Sequence, residues 1–489
     1  MKTHDFTVGS RNLRMAAYNE SLPGPTLRMR QGDTLRVLLK NEMDKLGIPT
    51  NGQAPTGFTK PSGHGSGSLQ DHQIYTNLHV HGFQVSPQDP GDNVLLTIQP
   101  GEEHQYEYNV PGEGLGPDRR PQPAGLHWYH PHFHGSTTHQ GWQGLSGALV
   151  VEGDVDEVPA VKAAKERVMI LNELWVGDDG TVPTAMTVPT AGYSPFSSIP
   201  AVPTNILFTI NGVLHPKISI ERGETQRWRV LAAGPHRFFW LKVDGHVLYQ
   251  IGQDGVPFAE AKPRESIMLA TGNRAEFIIK GIADVPDGES FKIRALSYDQ
   301  GHPGGPRPEH LLGTVNYDGQ AATEGELPTK LVTPYDISSR PIVRKRRLTF
   351  QGDISSAPVK FTIDNQVFCA ERIDQDPAGG TVEEWLLVNE DVFQHPFHIH
   401  VNPFQVVEVI GAPPNDPTWN YDPNVWWDVF RLPAKGSVRI RMYFRPDFPG
   451  LTVYHCHILP HEDNGMMGTV CISGPGAPCT PNKNPQCEA

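Results

Sequence analysis

This chain of 489 residues contains only five cysteines, too few to knit a disulfide scaffold of that length. No stretch approaches 18 uninterrupted apolar residues, which excludes a transmembrane helix. Basic side chains are outnumbered, 41 Lys and Arg against 54 Asp and Glu. The net charge of −13 leaves no basic footprint for nucleic acid or anionic lipid. The opening Met1-Lys2-Thr3-His4-Asp5-Phe6 lacks a charged segment followed by an apolar one, so no secretory signal is read there. The expectation is an exported protein, periplasmic or extracellular, whose signal is absent from this chain; a cytoplasmic protein is the alternative. Long helical stripes are missing too, with only a short helix expected around residues 161–166.

What is present reads as strand. Thr34-Leu35-Arg36-Val37, Arg227-Trp228-Arg229-Val230 and Ser437-Val438-Arg439-Ile440-Arg441-Met442 alternate polar and apolar residues. Glycine (49) and proline (46) punctuate such runs, while a 37% apolar fraction keeps the chain outside disordered composition. A repeat is visible. Pro25-Thr26-Leu27-Arg28-Met29 leads to Gly32-Asp33-Thr34 and a strand, and Pro216-Lys217-Ile218-Ser219-Ile220 leads by the same step to Gly223-Glu224-Thr225 and a strand. Gly380-Thr381 before Val382 is a weaker third copy. The runs Gly147–Gly153 and Gly468–Gly474 recur as closing strands. The chain is therefore predicted to be all-β, three consecutive Greek-key sandwich or barrel domains at 1–155, 156–328 and 329–489.

Histidine is the residue in excess, with 22 copies, twelve of them in four clusters. These are His79-Val80-His81, the stretch His127-Trp128-Tyr129-His130-Pro131-His132-Phe133-His134, His395-Pro396-Phe397-His398-Ile399-His400, and His455-Cys456-His457-Ile458-Leu459-Pro460-His461 running on to Met466. Residues two apart on a strand share a face, so each His-x-His presents two imidazoles side by side. One such pair is commonly a solvated face; four clusters in two distant segments point to a metal. Cys456, His461, Met466 and a second histidine supply two imidazoles, a thiolate and a weak thioether, the donor set of a blue-copper site. A catalytic thiol leaves the histidines flanking Cys456 unexplained, and structural zinc seldom uses methionine.

Aligning Tyr129-His130-Pro131-His132 with Tyr454-His455-Cys456-His457, and His79-Val80-His81 with His398-Ile399-His400, gives the first and third domains four equivalent histidines each. The middle domain has His215, His236 and His246 but no His-x-His. Eight imidazoles are expected to meet at a pseudo-twofold interface between domains one and three, enough for three metal ions with open positions.

In these motifs the chain closely resembles the multicopper oxidases of the three-domain bacterial laccase type, along essentially its whole length. The resemblance implies three cupredoxin-like domains and four coppers per chain. Type 1 copper would take His395, Cys456 and His461, with Met466 axial; type 2 would take His79 and His398. One type 3 copper would take His81, His130 and His457, the other His132, His400 and His455. Electrons from a reducing substrate would enter one at a time at type 1 copper, and dioxygen would be reduced to two waters at the trinuclear cluster. Because that reduction consumes protons, Glu462 and Asp92 are expected to act as proton-handling carboxylates, with Asp89 the alternative to Asp92. His127, His134 and His139 match no ligand position and are read as surrounding residues. Trp419, Tyr421, Trp426 and Trp427 are read as packing rather than as a substrate entrance.

A methionine axial ligand favours easily oxidised phenols and aromatic amines as reductants. The negative net charge favours neutral or cationic ones. A cuprous oxidase of a copper-tolerance system is the runner-up, set back by only 10 methionines with none clustered beyond Met466-Met467. A non-enzymatic cupredoxin scaffold is third, because no ligand position is lost. A monomer with no membrane partner is expected. Cys479 and Cys487 read equally as a small disulfide or as two free thiols, and Cys369 and Cys471 as packed small hydrophobes.

Overall fold

The computed structural model describes residues 1–43, 74–114, 120–176, 180, 206–302, 305–319, 321–353, 359–419, 421–475, 477, 479 and 487. Strands dominate throughout. A four-stranded sheet (Gly24–Arg30, Gly147–Glu152, Gly125–His130, His79–His81) and the hairpin-like pair Thr34–Lys40 and Glu103–Asn109 enclose one apolar core. Sheets of seven and five strands, between Lys165 and Asn316, enclose a second. The third core lies between a six-stranded sheet, with Ile342–Asp353 and Val382–Asn389 paired in parallel, and a four-stranded sheet of Val429–Leu432, His395–Ile399, Gly450–Cys456 and Met467–Ile472.

The repeat read from the sequence has a backbone cause. Gly32, Gly223 and Gly380 take φ of +91°, +77° and +84°, the left-handed conformation that glycine adopts without steric penalty. Each turns the chain into a long strand. The closing strands share a second device. Gly147 lies opposite Tyr129 and Gly468 opposite Tyr454, and a Cβ on either glycine would fall inside the tyrosine ring, at 2.1 and 2.5 Å. Both tyrosines immediately precede a histidine, so the glycines let the rings lie flat and fix the strands carrying His130 and His455.

One expectation about the local elements needs correcting. The short helix is Pro159–Ala163, and Glu166 already belongs to the strand Lys165–Trp175. Proline at the first helical turn starts the helix, while the apolar run of that strand pairs into the middle sheet. The alternating run Arg227-Trp228-Arg229-Val230 lies in the strand Thr225–Ala232, as expected. Arg227 and Arg229 are buried, meeting Glu276, Asp156 and Glu166 at 2.5–2.9 Å. Glu276 also accepts the Leu126 N–H at 2.6 Å, which ties this network to the Gly125–His130 strand.

The cysteine reading is overturned. Cys369 pairs with Cys487 and Cys471 with Cys479, so neither apolar-run cysteine is a free packed thiol and Cys479 does not pair with Cys487. Spacing in the chain hid this, because Cys369 lies 118 residues from its partner. Cys456 alone stays reduced. Titration of copper-free, denatured protein should therefore find one thiol per chain, rising to five after reduction; three or more before reduction would refute this pairing. Among the described residues no helix is long and apolar enough to cross a membrane.

Candidate metal centre

The strand register brings the histidines together as equivalent pairs. His79 stands opposite His130 in one sheet, and His398 opposite His455 in the other. The two sheets meet so that the His79 ring stacks on His400 and the His81 ring on His398, each at 3.8 Å between centroids. These partners exchange under the internal repeat, so the interface is a pseudo-twofold one.

Among the described residues four buried groups of histidine and cysteine donors result: His79, His81 and His398; His81, His130 and His457; His132, His400 and His455; and His395, Cys456 and His461; a fifth group joins Asp92 to His79 and His400. In the third, Nε2 of His132 lies 3.1 Å from that of His455 and 3.2 Å from that of His400. In the fourth, Nδ1 of His395 and Nδ1 of His461 are 3.1 Å apart, and each is 3.5 Å from Cys456 Sγ. Donors ringed about one ion at about 2 Å stand roughly 3–3.5 Å from each other. Nε2 of His79, His130 and His398, and Nδ1 of His81, are buried with no hydrogen-bond partner. Unsatisfied atoms in such number, aimed at a common space, need an occupant. Two imidazoles and a thiolate suit copper, and the all-imidazole groups suit copper or iron. The residues therefore fit copper.

Second contacts fix which nitrogen each ring offers. Asp391 Oδ2 lies 2.7 Å from His395 Nε2, leaving Nδ1 for the metal side. Asp428 Oδ1 lies 3.1 Å from His81 Nε2, and the Asp428 carbonyl 2.7 Å from His398 Nδ1. Burial holds the imidazoles of His79, His81, His130, His398, His400, His457 and His461 well below their ordinary pKa, keeping them neutral as ligation requires. Burial also pushes the Cys456 thiol well up, so its thiolate needs a cation beside it. Met466 is buried; its N–H donates to the His461 carbonyl and its own carbonyl accepts from the Cys456 N–H, both at 3.0 Å.

The carboxylates divide clearly. Glu462 is fully buried, 3.1 Å from His455 Nδ1 and 3.6 Å from His132 Nδ1, and burial lifts its carboxyl to about 7. Asp92 is buried with Oδ2 at 2.8 Å from His79 Nδ1 and Oδ1 accepting the Val80 N–H; burial lifts it to about 8. Asp89 lies at the surface, paired with His104. Neither His127, His134 nor His139 joins a donor group among the described residues. Trp419 and Trp426 pack into apolar clusters, and the rings around His461 are instead Phe361, Phe393, His302 and His395. Sequence reasoning missed Asp391, Asp428, Arg274, His236 and His302. Only Asp391 had a local signal, four residues before His395.

Comparison with known proteins gives the same picture. Three family profiles, each described as multicopper oxidase, match residues 71–156, 165–319 and 340–475. The chain is 25% identical over 461 residues to a multicopper oxidase of Staphylococcus aureus, covering 93% of this chain and 83% of the relative. It is 24% identical over 507 residues to a laccase of Bacillus subtilis, covering 97% and 93%. Its fold is similar to that of a multicopper oxidase from Campylobacter jejuni described as a metallo-oxidase, with TM-score 0.71, 24% identity and coverage of 96% and 90%.

Proposed function

Because the chain belongs to the multicopper oxidase family, copper-dependent oxidoreductases that use a small-molecule reductant and dioxygen, we propose that it is a laccase-like enzyme. It takes single electrons from phenols and aromatic amines and couples four such oxidations to reduction of dioxygen to two waters. In this reading His395, Cys456 and His461, with Met466, hold type 1 copper, and His79 and His398 hold type 2. His81, His130 and His457, and His132, His400 and His455, hold the type 3 pair. Bound there, copper supplies one-electron chemistry at the thiolate end and multielectron chemistry with dioxygen at the all-imidazole end.

The observation that carries the reading is the continuity of His455, Cys456 and His457. Three consecutive residues belong to three different donor groups. The remaining residues keep the imidazoles neutral, orient them through Asp391 and Asp428, and exclude bulk water by complete burial. Glu462, touching His455 and His132, and Asp92, touching His79 and His400, hand over protons in this reading. The chain divides at 1–155, 156–328 and 329–489, and its two disulfides support an oxidising, exported location.

For the reductant, the rings against His461 are two phenylalanines and two imidazoles, which suits an aromatic donor better than a thioether-lined one would. One observation favours a second reading, oxidation of Cu⁺. His236 and His302 lie 4.9 Å apart beside His461, buried, with His236 Nε2 and both nitrogens of His302 unpartnered. Oxygen uptake with phenols, aromatic amines, bilirubin, ascorbate and Cu⁺ under air decides between them. The expected result is fastest uptake with phenols and about four copper ions per chain; uptake with Cu⁺ alone would install the second reading, and a copper-free chain would refute both.

A further inference from the structure

The pseudo-twofold that relates the histidines extends to two buried aspartates. Asp92 lies against His79 at 2.8 Å and His400 at 3.7 Å, and these two rings are stacked on one another. Asp428 lies against His81 through its carboxylate and against His398 through its carbonyl, and those rings form the other stacked pair. The symmetry stops at the next contact. Asp92 turns one oxygen to the two histidines and the other to the Val80 N–H, whereas Arg274 grips both oxygens of Asp428, Nη1 on Oδ1 and Nη2 on Oδ2, each at 2.6 Å.

Arg274 comes from the middle domain, which supplies no His-x-His. It opens the strand Arg274–Lys280 and is completely buried. Its Nε donates to the Leu126 carbonyl at 3.2 Å, on the strand that ends at His130, and its Nη1 also donates to the Gly272 carbonyl at 3.0 Å. The Arg274 N–H is taken by Asp254, whose second oxygen faces the N–H groups of Asp428 and Val429 at 3.2 and 3.3 Å. The residues before Arg274 reach the histidines as well. Thr271 Oγ1 donates to the His457 carbonyl at 2.6 Å. Gly272, at φ +88°, lies so near the His457 ring that a Cβ there would stand 3.0 Å from it. On the far side, Gly82 directly follows His81, and a Cβ on it would collide with Arg274 Nη2 and Asp428 Oδ2 at 2.4 and 2.8 Å.

We propose that the 271–274 turn of the middle domain is a positioning element of the trinuclear copper centre, in which Arg274, acting through Asp428, sets the ring orientation and tautomer of His81 and His398 while Thr271 and Gly272 seat His457. The centre is then assembled by three domains, although only two supply ligands. The chemistry follows from the fork. A guanidinium bound at both oxygens fixes the plane of the carboxylate, which a lysine ammonium cannot do. A carboxylate held in one plane accepts the His81 Nε2 proton in one direction, leaving Nδ1 for the metal. Through its backbone, Asp428 does the converse for His398, leaving Nε2. The proposal rests on the copper reading above.

Three variants of the holoenzyme test it: Arg274→Lys, Arg274→Met and Thr271→Val. The His395, Cys456 and His461 side chains face one another, with Asp391 behind His395, so blue absorption is the internal record of folding and of type 1 loading. Expected in Arg274→Met is unchanged blue absorption with copper retention at the cluster weakened about 10–100-fold and an altered type 2 electron paramagnetic resonance signal. Arg274→Lys, which keeps the charge but loses the fork, should shift that signal without restoring it, and Thr271→Val should shift it less. Cluster copper affinity and type 2 signal identical to wild type in Arg274→Lys and Thr271→Val would overturn the proposal, even if Arg274→Met does not fold. Wild-type copper content, measured alongside, tests the copper reading separately: a wild type without cluster copper removes that reading, whereas a fully loaded wild type with unaltered variants removes only this one.

Discussion

Replacing Cys456 by serine is expected to abolish blue absorption and to lower phenol oxidation at least about a thousandfold, roughly 4 kcal/mol on the barrier. Cys456 Sγ stands 3.5 Å from both His395 Nδ1 and His461 Nδ1, and no other thiolate is near, since Cys456 is the only free cysteine. A serine hydroxyl is a hard, protonated donor and does not replace a soft thiolate. The loss is selective because the peptide carrying Cys456 also carries His455 and His457, which point into two other groups. The side-chain change touches neither, so copper content should fall by about one ion per chain and the type 2 signal should persist. Copper analysis, visible spectroscopy and steady-state oxygen uptake check the three parts. Retained phenol oxidation in the serine variant would refute the assignment of electron entry.

Glu462→Gln should slow reoxidation of the fully reduced enzyme by dioxygen about a hundredfold or more, the usual worth of a positioned proton donor, with copper content unchanged. Glutamine keeps the shape and the contact with Thr137, but it has no proton to give. Glu462 follows a donor of the thiolate group, yet its carboxylate faces away from it, toward His455 and His132 of an all-imidazole group. The short helix Leu459–Asp463 makes this division, since consecutive helical residues project in different directions. Stopped-flow reoxidation separates the step from substrate oxidation. An unchanged reoxidation rate would remove Glu462 from proton delivery and leave it a residue that holds two imidazoles in place.

The differences between expectation and structure have physical causes. His-x-His spacing was informative because it encodes local geometry: a two-residue strand period puts both rings on one face wherever the strand ends up. The Asp92 and Asp89 alternatives looked alike in the chain, and burial separates them, one against His79 and the other at the surface beside His104. The disulfides were misread because Cys369 and Cys487 are brought together by the fold of the last domain, not by proximity in the chain. His236 looked like an isolated histidine and His302 carried no local signal, and only packing beside His461 gives them meaning.

By itself the sequence determined the features that repeat at short range: an all-β chain, positive-φ glycines at equivalent turns, four histidine motifs and one thiolate among them. Each of these depends on residues within a few positions of one another. Tertiary structure alone decided which carboxylate meets which imidazole and which arginine meets which carboxylate. Arg274 and Asp428 lie 154 residues apart and form their fork only where three domains converge. Burial made that contact decisive, because a charge removed from water must find its partner across the fold, and that partner leaves no mark in the neighbouring sequence.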